Sequence, residues 1–169
     1  YFKLQSFFFM PVFGMNNGLI PVLAYNYGAR NRQRIDEALR FSVVLALGIM
    51  LTGTVIFELM PGTLLGFFNA SAEMKEIGIP DLRIICLCFP VAAVCIVMGS
   101  IFQAFSRSEY SLIVSVGRQL VVLIPAAWIL SKIGGLRAVW WAFPLAETLS
   151  LFLSVVLFRK LYRDTVEML

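Results

Sequence analysis

Residues 41–60 read Phe-Ser-Val-Val-Leu-Ala-Leu-Gly-Ile-Met-Leu-Thr-Gly-Thr-Val-Ile-Phe-Glu-Leu-Met, followed by Pro61-Gly62. Glu58 is the one charged side chain in this stretch. At about 1.5 Å per residue, a helix of this length covers about 30 Å, the thickness of bilayer hydrocarbon. A barrel strand needs only about 9–11 residues and alternates in polarity, which this stretch does not. In hydrocarbon a helix satisfies its own backbone groups. The stretch therefore reads as a membrane-spanning helix.

Similar runs flank it. Residues 7–27 are punctuated by Pro11, Gly14, Gly18 and Pro21. Residues 79–102 carry Pro90, residues 112–130 carry Arg118 and Pro125, and residues 139–158 carry Pro144 and Glu147. The expected fold is all-α: a polytopic membrane bundle of five transmembrane helices, each proline bending its helix. Residues 112–116 admit a second reading, with 109–116 an interfacial helix and the span starting near Arg118.

Composition agrees. The 169 residues are 60 % apolar and 14 % charged, with 15 Phe and no His. Soluble domains run at about 45–50 % and about 25 %, and a chain this short cannot hide so much apolar surface from water. Disorder, His-based catalysis and His-based metal binding are excluded. No Walker loop, G-x-S-x-G or H-E-x-x-H occurs, so no enzyme is expected. Cys86, Cys88 and Cys95 lie in one apolar run and read as small buried hydrophobes, not as a zinc set. Net charge is +4, without the basic face of a nucleic-acid binder. The chain opens at Tyr1 on an apolar run, without a signal segment, and an internal fragment is expected.

The basic residues set an orientation. Arg30, Arg32, Arg34, Arg40, Arg107, Arg118, Arg159, Lys160 and Arg163 fall on one side of the expected bundle. Lys3, Lys75, Arg83, Lys132 and Arg137 fall on the other. The richer side is expected to be cytoplasmic, together with the C-terminus. The acidic loop around Glu73 and Glu76 is then external. Arg118 is placed near the cytoplasmic side, where a long stem reaches the headgroups. Trp140, Trp141 and Tyr162 suit the two interfaces.

Glu147 is the leading candidate for function. It lies nine residues into its segment, roughly 14 Å deep. An ionised carboxylate there costs about 3 kcal/mol on insertion scales. It needs a partner or cavity, and it can bind a proton, a sodium ion or an organic cation. Packing against a neighbouring helix is the other reading. Asn16 and Asn17 lie midway along the first segment, between Gly14 and Gly18 in G-x-x-x-G spacing that lets a helix approach closely. Their amides suit either a ligand or interhelical hydrogen bonds. Glu58 reads as a hydrated interfacial carboxylate, and Gln103, Ser106, Arg107 and Ser108 as a helix end.

The run Pro21-Val22-Leu23-Ala24-Tyr25-Asn26-Tyr27-Gly28-Ala29-Arg30-Asn31 resembles the end of a helix in multidrug and toxic compound extrusion (MATE) transporters. Phe13-Gly14, Asn16-Asn17-Gly18, Ser115-Val116-Gly117-Arg118-Gln119 with Pro125, and the stretch from Gly135 to Glu147 are similar to that family in the same order. The resemblance covers essentially the whole chain. It implies that residues 1–169 are a partial C-terminal bundle, helices eight to twelve of a twelve-helix transporter with two bundles around a central cavity. Tyr25, Asn26, Gly28 and Arg118 would form its cytoplasmic helix-end motif. The implied activity is export of cationic amphipathic drugs from the cell by antiport with protons or sodium ions across the plasma membrane. No cofactor is implied. The partners would be lipid, drug and the missing N-terminal half, without nucleic acid.

Glu147 matches a recurrent acidic position of the family. Residues 79–102 have no mid-membrane acid, because Asp81 falls at the external end, and this weakens a sodium site there. Alternating access needs two bundles, so these five helices alone are not expected to transport. A lipid-linked oligosaccharide flippase of the same superfamily is the alternative, though it should carry several basic residues inside the membrane. A non-transporting membrane scaffold is another, but it has no use for Glu147.

Overall fold

The computed structural model describes residues 2–68 and 71–166. The side chains of Leu136 and Arg137, part of the entry to the last segment and of the external charge count, lie outside the described residues. The chain is a polytopic helical membrane bundle, with no strand among the described residues. Its helices are α1 (Phe2–Gly28), α2 (Arg32–Leu59), α3 (Pro61–Gly66), α4 (Ala72–Cys86), α5 (Phe89–Ala104), α6 (Ser108–Val116), α7 (Ile124–Val139) and α8 (Ala142–Thr165). A π-helical stretch, Gly117–Leu123, joins α6 to α7. Four units are long and apolar enough to cross a bilayer: Lys3–Gly28, Arg32–Leu59, Ser108–Gly135 and Ala142–Thr165. The pair α4 and α5, bent by 48°, makes a fifth.

Several boundaries move from the sequence expectation, each for a local reason. The arginine-rich residues 32–40 are helix, because the Asn31 side chain caps α2 by accepting from the Arg34 N–H at 3.1 Å. Arg30, in the left-handed region at φ 53°, makes the turn before it. The expected acidic loop around Glu73 and Glu76 is the start of α4. Ser71 caps that helix through Met74 N–H, and Glu73 in the first turn complements its dipole. Asp81 is consequently buried well inside α4, not at a helix end. Residues 109–116 continue through the π-helical stretch as one span, which rules out the separate interfacial helix. That span closes at Gly134-Gly135, where Gly135 has φ 65°, a conformation suited to glycine.

The prolines divide into two groups. Pro11, Pro21 and Pro80 sit inside uninterrupted helices. Pro90 marks a break instead. α4 ends at Cys86, and α5 restarts with Pro90 in its first turn. Pro90 has no N–H to give the Cys86 carbonyl, and the Thr54 hydroxyl of α2 donates to that oxygen at 3.1 Å. A neighbouring helix thus supplies the lost bond.

α5 is the central element, packed against α1, α2, α6 and α8. Phe8, Phe9, Phe57 and Phe89 meet edge-to-face where α1, α2 and α5 converge, with ring centroids 5.2–5.6 Å apart. Such pairs add about 0.5–1.5 kcal/mol beyond buried area. Gly53 lets α1 and α2 approach here, because a Cβ on it would lie 2.8 Å from the Phe8 ring. At the arginine-rich end, Tyr162 Oη of α8 donates to Asp36 Oδ1 of α2 at 2.6 Å, under the Arg32 guanidinium.

Candidate functional site: a groove with a buried ion pair

Between α1, α5, α6 with its π-helical extension, and α8 lies a groove of about 840 Å³. Its walls are largely apolar, including Phe9, Phe13, Phe102 and Phe143, and its polar members come from all four sides. The volume falls within the about 300–1,000 Å³ usual for small-ligand sites.

Glu147 and Arg118 form the charged centre. Arg118 Nη1 donates to Glu147 Oε1 at 3.0 Å, the side chains being 31 % and 16 % exposed. The expected position of Arg118 near a helix end is corrected here. It lies ten residues after Ser108, within the π-helical stretch, about 15 Å along the span. Glu147 lies eleven residues before Phe158, about 17 Å from the arginine-rich end of α8. The two heights agree, so the pair meets across the groove. From the opposite end Glu147 is nearer than expected. The helix breaks at Trp140-Trp141 and α8 starts at Ala142, which leaves five residues, about 8 Å.

Other oxygens gather on the same walls. The second carboxylate oxygen, Glu147 Oε2, is buried without a hydrogen-bond partner, as are Ser150 Oγ, Ser154 Oγ and Asn16 Oδ1. Glu147, Ser150 and Ser154 follow one another at i, i+3 and i+7 along one face of α8, with the Cys95 thiol beside both serines. The sequence signal for the serines is this spacing from Glu147, which reading for charge alone passes over. Asn16, 6 % exposed, donates its amide N–H to the Ile96 carbonyl at 3.2 Å. It therefore ties α1 to α5 while turning its oxygen away from any bond. Asn17 is exposed on the groove side.

Two sequence expectations fail here. No atom lies within 4 Å of a Cβ built on Gly14 or Gly18, so this G-x-x-x-G face carries no close helix contact among the described residues. Tyr25, Asn26 and Gly28 do not reach the groove. Tyr25 is 77 % exposed, Asn26 bonds the Val22 carbonyl at 2.8 Å, and Gly28 ends α1 before the turn into α2. Tyr27 of the same run packs on Phe105 at 5.0 Å between centroids. Glu58 is not free in the interface but pairs with Arg83 of α4 at 3.6 Å. Cys86, Cys88 and Cys95 are buried free thiols.

The order and content of these elements match a known profile. The MatE family pattern covers residues 1–129. The chain is a member of the MatE family. The multidrug export protein MepA of Staphylococcus aureus strain RF122 is 25 % identical over 164 residues, 96 % of this chain and 36 % of MepA. The solved MATE multidrug transporter DinF-BH, in complex with a small ligand, is 34 % identical with a TM-score of 0.86, over 99 % of this chain and 37 % of that one. An inward-facing MATE family transporter of the MOP superfamily superposes with a TM-score of 0.90 at 20 % identity, over 98 % of this chain and 39 % of that one. The chain spans about a third of the length of these relatives.

Proposed function

We propose that this MatE-family chain forms the cation-binding bundle of a multidrug efflux transporter. It would export cationic amphipathic compounds in exchange for protons or sodium ions by alternating access, together with a second bundle. The site's polarity supports this reading. A single carboxylate sits on the wall of an aromatic groove and offers one charge to a cation whose apolar body rests on Phe9, Phe13 and Phe143. In hydrocarbon such a carboxylate attracts any cation that relieves its desolvation. The arginine-rich end, with the C-terminus, would face the cytoplasm of a cell whose plasma membrane the bundle crosses.

The flippase alternative requires a cationic floor for a pyrophosphate. Arg118 is the one lysine or arginine among the groove's lining residues, and Glu147 already neutralises it. The carrying observation is the pairing of Glu147 at 3.0 Å inside that groove. In cells carrying the intact transporter, Glu147→Gln should lower drug resistance to the level of cells without it, at unchanged membrane abundance. Retained resistance would remove the carboxylate from the exchange.

A further inference from the structure

The Arg118–Glu147 pair is asymmetric in a way that suggests exchange more than permanent closure. An arginine can grip a carboxylate with two parallel bonds, yet here a single bond to Oε1 is made, and Oε2 is buried with none. An unsatisfied buried acceptor is costly, so the pair leaves part of the carboxylate's attraction unspent.

The two partners are also held differently. Glu147 sits on α8 between the buried Ala146 and Ser150, on a helix packed against α5. Arg118 projects from the π-helical stretch, none of whose residues is buried. Its span is the least enclosed of the four: 6 % of its apolar window is buried inside the bundle, against 22–28 % for the others. Wide π turns recur at functional positions in helices. The carboxylate is thus the fixed member and the guanidinium the movable one, on a long stem beside an open groove.

We propose that Arg118 is a tethered competitor for the cation site: it occupies Glu147 while the groove is empty and swings away when an organic cation takes the carboxylate. The exchange keeps one positive charge on Glu147 throughout, so no bare carboxylate is left in the membrane interior. The incoming cation gains what Arg118 leaves unused, namely Oε2 and the free oxygens of Asn16, Ser150 and Ser154. When it departs, Arg118 returns and blocks rebinding. Arg118 therefore weakens binding and aids release. This rests on the reading of Glu147 as a cation site.

The test measures binding of tetraphenylphosphonium to the intact protein in lipid nanodiscs, for the parent, Arg118→Gln, Arg118→Lys and Glu147→Gln. Arg118→Gln should bind about tenfold more tightly, Arg118→Lys within about threefold of the parent, and Glu147→Gln at least tenfold more weakly. Unchanged or weaker binding by folded Arg118→Gln, with Glu147→Gln impaired, overturns the tether and leaves the cation site standing. Unchanged binding by Glu147→Gln overturns the cation site itself. Should Arg118→Gln fail to fold, the parent protein decides. Saturating tetraphenylphosphonium should speed phenylglyoxal modification of Arg118 severalfold, whereas an unchanged or slower rate overturns the proposal.

Discussion

The two flanks of α1 are built from the same materials and do opposite things. Toward α2, Phe8 fills the space over Gly53, and the neighbouring phenyl rings interlock. Toward the groove, Gly14 and Gly18 have no atom near them, Asn17 is exposed, and Asn16 keeps an unused oxygen. Glycine on the first flank is a packing requirement, and on the second it leaves room. In lipid the hydrophobic effect does not hold helices together, so close fit and interhelical hydrogen bonds must. The α2 flank has the close fit, whereas the groove flank is tied back to α5 by the Asn16–Ile96 bond.

Substitutions can break or sharpen this contrast. Gly53→Leu should have the largest effect, because its Cβ would already overlap the Phe8 ring. Overpacking costs about 1–3 kcal/mol, sometimes more. The expected readout is a thermal midpoint in detergent lowered by many degrees, or loss of monodisperse protein. A midpoint equal to the parent's would show that Phe8 can leave its seat freely. Thr54→Val should come next, at about 1 kcal/mol. It removes the donor from the Cys86 carbonyl while keeping the side chain's shape, and the same unfolding assay measures it. Gly14→Ala and Gly18→Ala should be the mildest, neutral or stabilising by up to about 1 kcal/mol through helix propensity. Marked destabilisation by either would reveal another helix lying against that face in the working assembly.

Much of this architecture was legible in the sequence. Span length and apolar composition follow directly from the bilayer's demand that backbone groups be satisfied locally. The five segments survive for that reason, with residues 79–102 divided just ahead of Pro90. What stayed hidden depends on which helices touch. Counting residues along one span from its ends could not show that Arg118 and Glu147 share a height, because that needs two spans placed side by side. The G-x-x-x-G spacing of Gly14 and Gly18 indicated a close approach, but spacing cannot tell a partner from a void. Gly53, where two helices do approach, has no such spacing to mark it. The caps at Asn31 and Ser71 were readable in principle. Their helices extend beyond the apolar runs, however, and hydropathy alone stops at the edge of hydrocarbon.

The elbow between α4 and α5 has a mechanical consequence. A proline gap left to itself is a pivot, since the broken ladder resists bending poorly. Here the gap is bolted from the side by Thr54, which also bonds the Met50 carbonyl of its own helix. The Glu58–Arg83 pair fastens the same two helices again near by. The corner is braced like a gusset, so α2, α4 and the adjoining end of α5 travel as one body. Any flexing of the bundle is directed to the opposite side, toward the loosely enclosed span that carries Arg118.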